Sequence, residues 1–496
     1  MAKVYKIHPA IGIMRVGDSN AYFIGPEHPG GPGMELNNDG TETPVQQYKA
    51  AGFLKRQGAR FQVWEYELSP TGDLIPVEEV QTPAHIEWTV SLVNAKAAGN
   101  KIAPVVDGSR KVLLPVGPPR NDNIADRESL IIRGGTCNVG GIMQPPVMFD
   151  KGSFLGKQVY LGELFTDRKG RLIILGGKGK SVGIPTAPGE PIPSLGHFAN
   201  NERWHDDVSD GPVTARITLP GEAPVDALPA WIICAPPDFA PAASTPVSLY
   251  EVAIQAAISR GWVTPNIPPS FVSDVFPILS RALSLRWVHD WVYWSAITDN
   301  WAALSSLTDQ AARLTAFNQI VQAPLHEYAL PSYLNNILVD WRDGNFINDF
   351  GQMMPKLTIP EACDRAALEA CIATSFFPGI EAGFAIANPA LYMEPFRLSH
   401  QQVLPGQLTA QMAVPWQADF NDCAEDWWPS QRPVDVFSRE TDIPNGPARW
   451  DEGIYETGDA PSRKRMVDSF GKLGVIVPDN SGQLLESERD GSLPQH

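Results

Sequence analysis

Across residues 235–246, APPDFAPAASTP, the hydrophobic period of the chain changes. Before this Pro/Ala stretch, apolar residues recur at every second position. After it, they recur at spacings of three and four. A period of two lines one face of a strand, and a period near 3.6 lines one face of a helix. The chain is therefore read as α+β: a β-rich N-terminal half, 1–240, packed on a mainly α-helical C-terminal half, 241–496, with long irregular loops. Length supports a division, because one hydrophobic core rarely grows past roughly 250–300 residues.

In the first half, ARFQVWEYEL (59–68) and HIEWTVSLV (85–93) alternate and are rich in strand-forming residues. VYLGELFTDRKGRLIILGG (159–177) places two such runs around an Asp-Arg-Lys-Gly turn and predicts a hairpin. VTARITL (213–219) and WIICA (231–235) predict further strands. In the second half, SLYEVAIQAAISRGW (248–262) predicts a helix with Ser248 and Glu251 at capping-box spacing and a glycine near its end. The runs 272–294, with Ser273 as cap, 300–322 and 359–377 predict three more helices. The last hundred residues are proline-rich and irregular.

Charge and cysteine use exclude several classes. A net charge of −17 argues against nucleic acid and against an anionic membrane surface. Five cysteines without CxxC spacing exclude a disulfide scaffold, a zinc ribbon and attached c-type haem. The N-terminus lacks a long apolar run, and the most apolar stretch, 371–393, is broken by Pro378, Glu381 and Pro389. A cytoplasmic protein without a membrane span is expected.

Few local motifs carry chemistry. LGGKGKSVG (175–183) contains Gly-Lys-Ser but has Ile174 where a phosphate-binding loop needs glycine, so it reads as a glycine-rich strand end. His197, His205, Asp206 and Asp207 lack metal-ligand spacing and read as a solvated loop. His326, beside Glu327 and Tyr328, and Cys371, ahead of the Pro-Gly bend that aims Glu381, are candidates for lining a site.

The densest chemistry lies in VPWQADFNDCAEDWWPSQRP (414–433), with three tryptophans, one cysteine and the carboxylates Asp419, Asp422, Glu425 and Asp426. Asp419 and Cys423 are four apart and share a face on a helical turn. A carboxylate there can take the thiol proton and generate a nucleophile. A packed, tryptophan-rich core around an inert cysteine explains the same residues.

The stretch MAVPWQADFNDC (412–423) with WWPSQRP (427–433) resembles the L-lysine ε-oxidase and glycine oxidase family. The resemblance extends to 7–27, to ARFQVWEY (59–66), to FFPGIE and to EPFRL (394–398), and so spans most of the chain. It implies a quinoprotein that oxidises a primary amine or amino acid with a cysteine tryptophylquinone made from its own side chains. The products would be aldehyde or 2-oxo acid, ammonia and hydrogen peroxide. By the same resemblance, Cys423 and Trp450 form the cofactor, Trp450 being the only tryptophan after the WWP turn. Trp427 and Trp428 lie too close in sequence to match the family arrangement. Asp419 is required for cofactor formation and is the candidate base, with His326 as a further catalytic candidate. Cys371, Glu381 and Trp416 are expected to line the substrate pocket.

A flavoprotein modifying enzyme is the implied maturation partner, and a homo-oligomer is expected. An amine dehydrogenase serving a protein acceptor, and an unmodified binding member of the family, are the alternative functions. The chain is shorter than the family's lysine and glycine oxidases, as is its Cys423–Trp450 interval, so chemistry transfers better than substrate identity.

Overall fold

A computed structural model describes residues 3–37, 39–70, 72–107, 110–321, 330–373, 382–420, 430–439 and 446–496. Within these, the side chains of 106–107, 110–113 and 383–384 are left aside.

The N-terminal half builds one large, mainly antiparallel sheet. Its path uses β1 (Lys3–His8), β2 (Ile11–Arg15), β3 (Arg56–Leu68), β4 (His85–Asn94), β5 (Ile132–Gly140), β6 (Gly162–Thr166), β7 (Leu172–Gly176), β8 (Asp210–Thr218) and β9 (Ala230–Ala235). The order is β5-β4-β8-β9-β2-β3-β7-β6, with β1 pairing on β3. The predicted strands at 59–68, 85–93, 213–219 and 231–235 all appear, within a few residues. The predicted hairpin is β6–β7, in register from Gly162 opposite Gly176 to Thr166 opposite Leu172.

Strands β2 and β9 pair in parallel at the centre, Ile11 opposite Trp231 through Arg15 opposite Ala235. Both are buried along their whole length. That suits a central parallel pair covered on both faces, where alternation gives way to a continuous apolar run.

The second half is helical: α1 (Leu249–Ser259), α2 (Phe276–Ser284), α3 (Gln310–Val321), α4 (Ser332–Asp343), α5 (Ile359–Glu369) and, near the end, α6 (Ala460–Ser469). The capping box of α1 forms as read, with Ser248 accepting at the first turn and Glu251 answering its backbone.

Three helix expectations require correction. The run 272–294 is not one helix. Its cap is Ser270, whose hydroxyl accepts from Ser273 N at 3.0 Å. A π-type turn at 271–275 gives way to α2 at Pro277, which lacks an N–H, and a short turn at 291–294 restarts from left-handed Asp290. The run 300–322 splits into Trp301–Leu304 and α3. Between them Ser306 Oγ accepts from Thr308 N and Asp309 N, each at 3.2 Å, so side chains compete with the helix for backbone donors. Helix α5 ends at Glu369 rather than before Pro378.

The two halves join through buried polar contacts. His8 Nδ1 lies 3.0 Å from both oxygens of Asp364 on α5, and Ala10 N donates to Asp364 at 2.6 Å. Arg15, 2% exposed, donates to the Pro236 and Ala370 carbonyls at 2.8 Å each. A buried guanidinium satisfied by carbonyls of both halves fixes their relative position.

Candidate active site

The motif around 414–420 folds into a short 3-10 turn, Trp416–Asp419, whose residues are all buried. It is held by the N-terminal half. Trp416 N donates to Asp206 Oδ2 at 3.0 Å. That carboxylate pairs with Lys96 Nζ at 2.6 Å, both side chains being 0% exposed, and its other oxygen accepts from Asn94 at 3.0 Å. Burial pulls the Lys96 ammonium down from its usual range, and Asp206 opposes that shift. Gln417 donates to the Gly179 carbonyl at 2.8 Å and accepts from Ser181 Oγ at 2.5 Å.

The polar cluster at 205–207 thereby corrects the expected solvated loop. His205, Asp206 and Asp207 are 5%, 0% and 2% exposed. Burial pushes the Asp207 carboxyl up to about 7, against a hydrogen bond from Lys180 N. No local pattern reveals this, because Lys96 and Trp416, the partners of Asp206, lie far away in sequence. The glycine-rich segment after β7 is a structural support, with Gly179 giving its carbonyl to Gln417.

Trp450 is fully buried. Its indole Nε1 donates to the Gly474 carbonyl at 2.8 Å. Its backbone is tied on both sides, N to Val434 O at 3.0 Å and O from Arg489 Nη1 at 2.7 Å. Phe239 meets the indole edge-on at 4.9 Å between centroids, and Phe420 tilts on it at 5.9 Å. Trp416 packs on Phe420 at 5.3 Å and on Phe470 at 5.1 Å. One continuous aromatic cluster thus joins Trp450 to the turn that carries Asp419. Asp419 is fully buried, its carbonyl accepts from Arg432 Nη1, and the Arg432 guanidinium lies 5.8 Å from the Phe420 ring centre.

The structure therefore brings Trp450, Trp416 and Asp419 into one region. Cys423, Trp427, Trp428, His326 and Glu381 lie outside the described residues. Cys371 is 1% exposed, and its Sγ accepts from Arg15 at 3.4 Å. It lines a small inner cavity together with Asp238, Thr245, Glu369, Ser430 and Gln431. That cavity shares Pro26, Gly31, Ser244, Glu369 and Ala370 with a wider outer cleft, so the two form a funnel between the halves. Two residues of its wall connect to the aromatic cluster through the backbone: Asp238 precedes Phe239, and Phe239 donates its N–H to Gln431 O at 2.8 Å.

Residues missed in the sequence include Phe239, Gln431, Arg432 and Arg15. Phe239 had a signal: an aromatic residue inside a Pro/Ala connection has to be packed somewhere. Among the described residues no cluster of three or more metal-ligating side chains occurs, and no helix is long and apolar enough to cross a membrane.

Comparison with known proteins makes this chain an oxidoreductase of the amino-acid oxidase class. The chain belongs to the L-lysine ε-oxidase family: the family's N-terminal model matches residues 8–234 and its C-terminal domain model matches 329–439. The second match includes Asp419 and Cys423 and stops short of Trp450. L-lysine 6-oxidase from Marinomonas mediterranea is 24% identical, over 98% of this chain and 78% of that protein. A crystal structure of the L-Lys ε-oxidase from the same organism superposes with a TM-score of 0.79 at 22% identity, covering 98% of this chain and 95% of that one. A second, of its Schiff base intermediate with L-Lys, gives 0.76 at 21% identity over the same shares.

Proposed function

We propose that this chain oxidises a primary amine or amino acid with a cysteine tryptophylquinone made from Cys423 and Trp450. Carbon–nitrogen oxidation would yield aldehyde or 2-oxo acid and ammonia, with dioxygen reduced to hydrogen peroxide. The observation that carries this reading is the placement of Trp450, enclosed by Phe239 and Phe420 in the same cluster as the Trp416–Asp419 turn that leads to Cys423.

The described residues fit such a group. The indole N–H is anchored to a carbonyl, so the ring cannot turn over without losing a buried hydrogen bond. Its surroundings are aromatic and exclude water, which strengthens any polar interaction made there. The quinone supplies an electrophilic carbonyl for the amine and an acceptor for two electrons.

The rest belongs to the chain. Asp419, enclosed in its turn, is the base proposed to take the proton from the substrate α-carbon. A positioned carboxylate contributes typically about 10²–10⁴-fold in such a step. The Arg432 contact to the Asp419 carbonyl holds the turn in place. Phe239 and Phe420 fix the plane of the ring. The funnel past Cys371 provides the approach for the amine. The family resemblance implies a separate flavoprotein that oxygenates the indole during maturation.

Intact mass tests the reading. Mature protein should carry two added oxygens and should lack hydrogens both at the oxygenated ring carbons and at the thioether, and should react once with phenylhydrazine with a change in visible absorbance. Mature mass without bleaching by any of a broad panel of primary amines would overturn the function.

A further inference from the structure

The inner cavity holds a polar pair that the protein leaves unanswered. Gln431 is 1% exposed and Thr245 3% exposed. Among the described residues neither the Gln431 Nε2 and Oε1 atoms nor the Thr245 hydroxyl has a hydrogen-bond partner, and both residues line this cavity. Buried amides and hydroxyls are nearly always paired, because an unpaired one forfeits its hydration with no return. Side chains in this state that line a cavity are open to a bound ligand.

The Gln431 backbone is fixed, with its carbonyl accepting from Phe239 N at 2.8 Å, and Phe239 touches the Trp450 ring. The unanswered amide is therefore one residue contact away from the proposed reacting ring. A carboxamide presents a donor and an acceptor side by side. It is matched by a group that also does both. Size adds a second limit. The cavity has about 60 Å3 open to the centre of a water molecule. One water takes roughly 10–15 Å3 on that scale, so roughly four to six non-hydrogen atoms fit.

We propose that Gln431, with Thr245, is the specificity-determining contact for the non-reacting end of the substrate, and that this end is compact and both donates and accepts hydrogen bonds. A hydroxyl, a carboxamide and an amino-acid head group share this chemistry. The proposal rests on the amine-oxidising reading for its kinetic consequences, but the recognition itself uses side chains present with or without the quinone.

Two measurements test it. In mature protein, kcat/KM is compared for ethanolamine, glycinamide, 2,3-diaminopropionate and n-butylamine. At least one of the first three should exceed n-butylamine by about tenfold or more, because a site built around buried polar groups rejects a ligand that leaves them unpaired. The advantage should collapse in Gln431→Leu and shrink in Thr245→Val. The three polar amines then report which end group is read. In protein produced without the modifying enzyme, calorimetry should detect the preferred amine binding to the parent and no binding to Gln431→Leu.

Gln431→Leu removes a buried, unpartnered amide, so its melting temperature should not fall, and near-isosteric Thr245→Val provides a second variant. A parent that never reacts with phenylhydrazine, yet binds the amine in a Gln431-dependent way, would sink the quinone reading and uphold this one. Retained preference and retained binding in both variants, or n-butylamine as the best substrate of the parent, would overturn it.

Discussion

Trp450 gives its indole N–H to the Gly474 carbonyl at 2.8 Å, and its own carbonyl takes a hydrogen bond from Arg489 at 2.7 Å. Arg489 in turn pairs with Glu486 at 2.9 Å, and the Glu486 carboxylate occupies the space where a side chain on Gly474 would begin. The four residues form a closed ring of contacts that includes the indole N–H. Trp450 comes from a loop, Glu486 from the hairpin of Val475–Pro478 with Leu484–Ser487, and Gly474 and Arg489 flank that hairpin. The ring orientation is therefore set by tertiary structure rather than by the motif.

Gly474→Ala tests that ring. A methyl group there would run into the Glu486 carboxylate. Either Glu486 leaves Arg489 or the Gly474 carbonyl leaves Trp450. Overpacking of this kind costs typically about 1–3 kcal/mol. Denaturant unfolding should show that loss, and quinone absorbance per chain should drop because the indole is no longer held in one orientation. Unchanged stability and unchanged absorbance would mean that the contact has no such role.

Lys96→Met addresses the support under the Trp416 turn. The variant leaves Asp206 as a buried carboxylate without its cation. Breaking one side of a fully buried pair costs about 3–5 kcal/mol. The midpoint of chemical unfolding should move accordingly. Because Asp206 also receives Trp416 N, the near-ultraviolet circular dichroism of the tryptophan cluster should change under conditions where the variant is still folded.

The large outlines of this molecule are readable in the sequence because they rest on period. Alternation gives β3, β4, β8 and β9, and the Ser248–Glu251 spacing gives the start of α1. What the sequence conceals depends on partners distant in the chain. Asp206 reads as a surface acid until Lys96 and Trp416 are placed beside it, 110 and 210 positions away. Gln431 and Thr245 have no pattern at all, since an unpaired buried amide is visible only when its surroundings are known. Two of the three helix errors share a cause: Asp290 and Ser306 are local breakers inside runs whose apolar spacing continues past them.

Asp207 makes stability depend on pH. Its folded-state value, about 7, lies above the ordinary 3.8, because burial disfavours the charge. The folded protein then binds the proton more tightly than the unfolded chain does. Stability should fall as pH rises from about 4 to about 7 and level off above, by up to about 4 kcal/mol. Asp210, raised to about 6 by burial, adds a slope of the same sign. Asp207→Asn keeps an oxygen for Lys180 N and removes the titration. Subtracting its stability curve from the parent's should isolate the Asp207 part: no difference below about pH 4, and a growing advantage of the variant towards pH 7. A difference that is flat with pH would show that the carboxyl titrates normally.

Asp419 is the residue on which formation and use of the cofactor converge. It is fully buried and sits one residue before Phe420, whose ring leans on Trp450. Asp419→Asn preserves volume and removes both the charge and the base. If Asp419 takes the thiol proton during maturation, the variant should show no quinone absorbance, and Cys423 should be open to alkylation. If it takes the substrate α-proton, quinone formed in a variant that retains partial maturation, such as Asp419→Glu, should turn over more slowly because the carboxylate is displaced, by at most the roughly 10²–10⁴-fold that a positioned base contributes. That variant should still capture phenylhydrazine, a reaction that needs no α-proton transfer. The two roles separate in one pair of measurements, absorbance per chain and the ratio of turnover to hydrazine titre. A normal spectrum with normal turnover in Asp419→Asn would remove both roles and leave the carboxylate as a packing element of the turn.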